Sequence, residues 1–260
     1  PHPSALPDQG RAAQSGAAAA VAVWTPGPTM THMRLDPSHL RAILLTAGFT
    51  VDAVLDRIGE EGQAGLGRNS TVPADVALGR DTGPLATLTR LFVLQQTVAE
   101  EHLTATLDMS ALIEAGYLVR QADGVRALID IRPYGSPDDG ASGWIVADPT
   151  PGLDGQVVPT RPDYVLGVSP ASTTLAQLTM RRPVATALDL GTGCAVQTLH
   201  LARHASRVVA TDVNERALEL ARLTLALNEV DAEVRAGSLY EPVRGDRFDL
   251  IVSNPPFVMS

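Results

Sequence analysis

The chemistry of this sequence is concentrated toward its C-terminal end. Val184 to Leu190 is a short apolar run with Asp189 near its tip, Gly191 and Gly193 follow, and a helix is expected from Cys194 to about His204. A strand that feeds a glycine-rich turn and then a helix brings backbone close to a ligand at the strand's carboxyl end in doubly wound α/β folds. Glycine is needed there because a Cβ would block the approach. Arg207 to Thr211 reads as a second strand with Asp212 at its tip, 19 residues after Gly193. A carboxylate in that place accepts both ribose hydroxyls of an adenosine cofactor. The spacing alone also suits a nicotinamide dinucleotide, so the turn has to decide. The dinucleotide fingerprint puts a third small residue three positions after the second glycine, where this chain has Val196. An acid, Asp189, precedes the turn instead, and it suits a cationic amino-acid moiety far better than a pyrophosphate.

Asn254-Pro255-Pro256-Phe257 is the sharpest signal. Two prolines lack N–H groups and have fixed φ, so they end a strand rigidly and hold the Asn254 amide and the Pro255 carbonyl as fixed acceptors. Those acceptors match an amide or exocyclic amine with two N–H groups, and Phe257 stacks on its flat face. Asn254, Pro255 and Phe257 are therefore the candidate catalytic residues. His200 and His204 stand at i and i+4, a metal-compatible spacing, but only Leu-Ala-Arg lies between them and no acidic partner is evident, so no metal is expected. Cys194 has no neighbouring His in sequence and reads as a small packing residue.

The elements that must position these groups follow from pattern. After Asp212 a helix opens at Asn214 and runs through Leu218, Ala221 and Leu225 toward Asn228. Ala232 to Ala236 is a third strand with Gly237-Ser238-Leu239-Tyr240 at its tip. Phe248 to Ser253 is a fourth, apolar on both faces as in the middle of a parallel sheet. Upstream, Asp36-Pro37-Ser38 opens a helix carrying Leu40, Ile43, Leu44 and Ala47 and ending at Gly48. Further helices are expected over Leu85 to Gln95, over Val98 to Leu107, and from an Asp108 cap through Leu112 and Ile113 to Gly116. Then come Tyr117-Leu118-Val119, the turn Asp123-Gly124 and the alternating run Val125, Ala127, Ile129, Ile131. Helix, helix, hairpin is the order of a winged helix, although the stretch Asp108 to Ala115 holds Glu114 and no Lys or Arg. It is read as a helical packing or substrate-presenting domain.

The expected organisation is a disordered Ala/Pro/Gly-rich tail over 1–33, a helical, winged-helix-like domain over 34–134, a Pro/Gly/Asp-rich connection over 135–162 with a short strand at Trp144 to Ala147, and an α/β cofactor domain over 163–260. No apolar run approaches the roughly 20 residues of a membrane span. One cysteine allows no internal disulfide, and the expected location is the cytoplasm. The formal charge of −9 excludes a surface wholly devoted to gripping phosphates but leaves room for a local basic groove. The chain opens with Pro1 and stops soon after the fourth strand, so it is read as part of a longer protein.

Residues 184–260 resemble the first half of a class I S-adenosylmethionine-dependent methyltransferase. Asp189-Leu-Gly-Thr-Gly matches its first motif, Asp212 its ribose-binding acid, and Asn254-Pro-Pro-Phe its fourth motif. The resemblance implies a Rossmann-like fold, with S-adenosyl-L-methionine held by Asp189, Gly191, Gly193 and Asp212. It also implies three further strands beyond the fourth. The stretch Ile251-Val-Ser-Asn-Pro-Pro is similar to the glutamine N5-methyltransferases that modify release factors, while ribosomal RNA guanine N2-methyltransferases also carry Asn-Pro-Pro-Phe. Two departures stand out: Ala195 replaces a third glycine, and Ser238 replaces an acid near the adenine amino group. In related enzymes a loop and helix near Gly167-Val-Ser-Pro-Ala-Ser-Thr-Thr close over the methionine end, which makes Ser172 or Thr173 a candidate carboxylate contact; a plain helix cap is the competing reading. The expected activity is methyl transfer to a planar nitrogen. A protein glutamine, such as one in a translation factor, leads; a guanine N2 or adenine N6 in RNA or DNA is the alternative, and a non-catalytic cofactor-binding scaffold is a third reading.

Overall fold

The computed structural model describes residues 36–104, 109–156 and 160–255. The expected tail, the Asp108 cap and Phe257 lie outside the described residues. The fold is mixed α/β, a helical region followed by a parallel sheet.

Helix α1, Pro37–Thr46, starts where the Asp36 carboxylate accepts the Ser38 N–H at 2.9 Å, and its Leu40 and Leu44 are buried. Helix α2, Val51–Leu66, is bent at Gly59, whose φ of 67° no β-branched residue would tolerate. It lies close on α3, Val72–Leu78: a Cβ on Gly62 would sit 3.1 Å from the Ala74 Cα. Helix α4, Pro84–Leu88, runs into a π-helical turn over Thr89–Val93, and left-handed Gln95 (φ 54°) ends it. Val98 does not open the next helix as expected. Its backbone is taken up by a β-bridge to Val125, and α5 begins only at Glu100 (Glu100–Thr104). Helix α6 is Met109–Glu114.

The expected hairpin forms from β1, Leu118–Gln121, and β2, Gly124–Ala127, with Leu118 opposite Ala127. The alternating run does not continue as one strand. Ile131 belongs to β3, Asp130–Gly135, which pairs antiparallel with β4, Ser142–Ala147. Thus the segment read as a connection contains a six-residue strand whose Trp144, Ile145 and Val146 are buried. The free edge of β4 is satisfied by side chains of a later helix, α9 (Glu215–Leu227) and its C-cap. Thr224 Oγ1 accepts the Val146 N–H at 3.0 Å, and the Asn228 amide accepts from Trp144 N–H at 2.9 Å and donates to its carbonyl at 2.7 Å. An edge covered this way cannot pair with another chain.

Helix α7, Pro170–Leu178, leads into four parallel strands: β5, Val184–Leu190; β6, Ala205–Asp212; β7, Glu233–Ala236; and β8, Leu250–Ser253. Their spatial order is β7-β6-β5-β8. Helix α8, Val196–Leu201, makes the β5–β6 crossover, and α9 makes the next. The order reverses between β5 and β8, and in open α/β sheets ligands bind outside the carboxyl ends of the strands at that reversal. One apolar cluster joins Leu40, Phe49 and Leu91 of the helical region to Ile145 of β4, Val196 of α8 and Leu220 and Leu225 of α9. No helix among the described residues is long and apolar enough to cross a membrane.

Candidate functional site

Register brings the expected residues together. Leu190 pairs with Thr211 on one side and Ser253 on the other, so Gly191, Asp212 and Asn254 each stand one position beyond the same row. At about 4.8 Å per strand spacing, Asp212 and Asn254 flank β5 roughly 10 Å apart. Ser253 Oγ donates to the Leu190 carbonyl at 2.8 Å and pins the end of β8 to β5.

Gly191 (φ 74°) and Gly193 (φ 55°) are both left-handed, and a Cβ on either would meet nothing within 4 Å. The space in front of them is open to a ligand. Ala195 is left-handed too (φ 67°) and fully buried, which explains why glycine suits that place and why α8 begins at Val196 instead of Cys194. Cys194 is buried in the apolar cluster, and burial pushes its thiol up to about 12.

Asp189 is buried. Its Oδ2 accepts from the hydroxyls of Thr192 and Thr198 at 2.7 Å each, while its Oδ1 has no partner among the described residues. Burial raises the carboxyl to about 6 against the opposing threonine bonds, and Asp212 adds to the rise. An orphaned, buried carboxylate oxygen beside an open glycine turn is what a cationic amino group would complete. Asp212 is half-buried. Its Oδ2 accepts the Gly193 N–H and its Oδ1 the Asn214 N–H, both at 2.9 Å. Each oxygen keeps a lone pair for a hydroxyl.

Asn254 is half-buried and its amide makes no hydrogen bond among the described residues; Pro255 beside it is exposed. Ser172 is committed elsewhere. It forms a capping box with Ser169, with Ser172 Oγ accepting the Ser169 N–H at 2.8 Å, and its carbonyl accepts from Gln197 at 2.7 Å. Thr173 Oγ1 likewise donates to the Ser169 carbonyl, so the local geometry is that of a helix cap. Ser238 is exposed at the β7 tip.

Sequence reasoning passed over Val213 and Leu239. They follow the tips of β6 and β7 and are 73% and 70% exposed, Leu239 with a left-handed φ of 49°. Both are large apolar side chains held in water, Val213 directly after Asp212 and Leu239 in the loop after β7. It also passed over the surroundings of His200. That ring is not paired with His204 but lies between Asp139 and Tyr134.

A parallel sheet with this strand order, a glycine turn after its first strand and an acid at the tip of its second defines a Rossmann-like cofactor fold. Residues 167–260 match the family model of the methyltransferase small domain, and residues 46–128 match a domain of unknown function, DUF7059. Ribosomal RNA small subunit methyltransferase C of Escherichia coli strain IAI39 is 46% identical over 72 residues, 27% of this chain and 21% of the relative. The same protein of strain K12 matches over the same length at the same identity. The chain thus spans about a fifth of the length of the curated relatives it matches. Among solved structures, the Thermus thermophilus 16S rRNA N2 G1207 methyltransferase in complex with AdoMet and guanosine is 23% identical, with a TM-score of 0.39 over 62% of this chain and 46% of that one. A ribosomal protein L11 methylase from Lactobacillus delbrueckii is 27% identical, with a TM-score of 0.32 over 40% and 55%.

Proposed function

We propose that this protein is an S-adenosylmethionine-dependent N-methyltransferase whose acceptor is the exocyclic N2 amine of a guanine in ribosomal RNA. The observation that carries the reading is the Asn254 amide, without a hydrogen-bond partner among the described residues, at the strand-order reversal and level with Gly191 and Asp212. The curated relatives, named for ribosomal RNA, favour the nucleic-acid acceptor. The glutamine acceptor expected from Ile251-Val-Ser-Asn-Pro-Pro gains no support from them.

When bound, S-adenosylmethionine supplies a methyl group on a positively charged sulfur. The residues present fit it. Asp189 Oδ1 would hold the amino group, the open faces of Gly191 and Gly193 would admit the chain, Asp212 would receive the ribose hydroxyls, and the exposed Val213 and Leu239 would offer the adenine an apolar surface. Asn254 Oδ1 and the Pro255 carbonyl accept the two N–H bonds of the guanine amine. That nitrogen's lone pair is delocalised into the ring; as it is drawn out to form the new N–CH3 bond, the S–CH3 bond would break with its electron pair staying on sulfur, S-adenosylhomocysteine would leave, and the N–H groups grow more polar until the surplus proton is lost to solvent. Fixed acceptors therefore strengthen toward the transition state. Phe257 is proposed to stack on the base, and Ser238 to face the adenine edge.

The test uses the intact protein, cofactor labelled in the methyl group and extracts from cells lacking the protein. Label that ribonuclease releases and protease does not, recovered as N2-methylguanosine, is the expected result. Label in protein, or in N6-methyladenosine, overturns the acceptor.

A further inference from the structure

Helix α8 has six residues, all buried, and a helix so short has little stability of its own. Polar ties act beside the packing of Val196, Leu199 and Leu201 to set its orientation. Thr198 Oγ1 donates to Asp189 Oδ2, Gln197 Nε2 donates to the Ser172 carbonyl at 2.7 Å, and His200 reaches the β3–β4 hairpin. There, His200 Nδ1 lies 2.6 Å from Asp139 Oδ2 and Nε2 lies 2.6 Å from the Tyr134 hydroxyl, with the two rings edge to face. The His200 and Asp139 side chains are 3% and 7% exposed. Burial works to raise the Asp139 carboxyl, but bonds from His200, the Ala141 N–H and Ser136 outweigh it and hold it below the usual range. An ionised carboxylate only accepts, so Nδ1 donates to Asp139, while Nε2 shares the second hydrogen bond with the Tyr134 hydroxyl. Both ring nitrogens are used, and the imidazole is fixed in angle. The hairpin is itself fastened to α9 through Asn228 and Thr224.

We infer that Tyr134, His200 and Asp139 form a positioning relay, through which the β3–β4 hairpin holds α8 at the rotation that aims Thr198 and the Gly193–Ala195 turn at the cofactor side of Asp189. The inference rests on reading the glycine turn and Asp212 as the cofactor cradle. His200 touches no reacting atom. It acts through Thr198, two residues back on the same helix, and a helix turned by one residue would carry Thr198 about 100° off Asp189. The relay is therefore a polar route, beside the shared apolar cluster, by which the region before residue 167 bears on cofactor affinity.

The experiment is calorimetry of S-adenosylhomocysteine binding to the intact protein, alongside proton NMR of the imidazole N–H. His200→Ala is expected to weaken binding about 3- to 30-fold, the range for a residue acting through a packed network. His200→Asn, which keeps a donor toward Asp139, restores part of it, and Tyr134→Phe has a smaller effect. His204→Gln is the control: neither ring nitrogen of His204 has a partner among the described residues, and its substitution leaves affinity unchanged. The wild-type protein is expected to show a protected, downfield Nδ1–H resonance that shifts on adding S-adenosylhomocysteine and is absent in Asp139→Asn. Wild-type affinity in folded His200→Ala, with a resonance unmoved by the ligand, overturns the relay. Should His200→Ala not fold, Tyr134→Phe with unchanged affinity and an unmoved resonance does the same. Loss of binding in Asp212→Ala but not in the relay variants sinks the inference alone, whereas a wild-type protein that binds no S-adenosylhomocysteine sinks the cradle reading and the relay with it.

Discussion

Asp189 and Asn254 carry different burdens, and each has its own measurement. The fold raises the Asp189 carboxyl from 3.8 to about 6, so the native state holds its proton more tightly than the unfolded chain does. Stability from this group is full below pH 4 and falls as pH climbs toward 6, leaving a standing cost of about 3 kcal/mol for the buried charge above that. A ligand ammonium meets the ionised form, so binding draws the proton off. Affinity for S-adenosylhomocysteine should rise about tenfold per pH unit up to 6 and level off beyond it, and Asp189→Asn should flatten the profile. Calorimetry between pH 5 and 7.5 that finds a flat wild-type profile would separate Asp189 from the amino group. Asn254 is free of partners among the described residues, and its worth lies in the transition state. Asn254→Ala should lower the turnover rate by about two to three orders of magnitude while cofactor affinity stays within a few-fold. An unchanged rate at saturating acceptor would reduce the tetrapeptide to a strand terminator.

The elements that carry these residues were legible in unequal measure. The glycine turn, Asp212 and the Asn254 strand end could be read because each signal is local: a strand, a turn residue and an acid within a few positions. α1 and the β1–β2 hairpin were legible for the same reason. The extent of α8 was not, because left-handed Ala195 shortens it at one end and a turn at Ala202–His204 closes the other. Nor was the core role of β4, whose edge is completed by Asn228, 84 residues on from Trp144. His200 was weighed only against His204, whereas its partners lie 61 and 66 residues upstream. Val213 and Leu239 gave no periodic signal because exposed apolar residues on loops have no period. The β4 docking makes a test of its own. Gly143 has φ 144°, and a Cβ there would fall 1.6 Å from Asn228 Oδ1. Gly143→Ala must expel the amide that satisfies Trp144 on both sides, and a loss of about 2–4 kcal/mol is expected from overpacking plus two broken hydrogen bonds. Urea unfolding checks it, and a cost below about 0.5 kcal/mol, the range of an ordinary surface change, would show that Asn228 does not hold the strand. The double variant Gly143→Ala/Asn228→Gly should lose less than the sum of the two single changes, since both act on one contact.

At the scale of the whole molecule, the helical region and the cofactor sheet share a core instead of meeting at a polar seam. The same apolar cluster contains Leu40 and Phe49 near its start and Leu220 and Leu225 of α9, with Cys194, Ala195 and Val196 of the turn and α8 packed into it. Trp144 sits at the junction. Its indole N–H donates to the Phe49 carbonyl at 2.7 Å while its backbone is bonded to Asn228, so its fluorescence reports on both regions at once. Groups that share buried area this way lose it together, which predicts one unfolding transition rather than two. A ligand held only by the turn and by Asp212 should then stabilise the helical region as much as the sheet. At about 100 times its Kd, S-adenosylhomocysteine adds roughly 2.7 kcal/mol, and for a unit of 150–250 residues each kcal/mol moves Tm by about 2–4 °C, so a shift of about 5–10 °C is expected. Trp144 fluorescence and far-ultraviolet circular dichroism should report the same midpoint with and without ligand, and the same displacement. Two transitions, of which the ligand moves only one, would mean that the helical region folds on its own and that its contacts with α8 and α9 carry no coupling to the cofactor site.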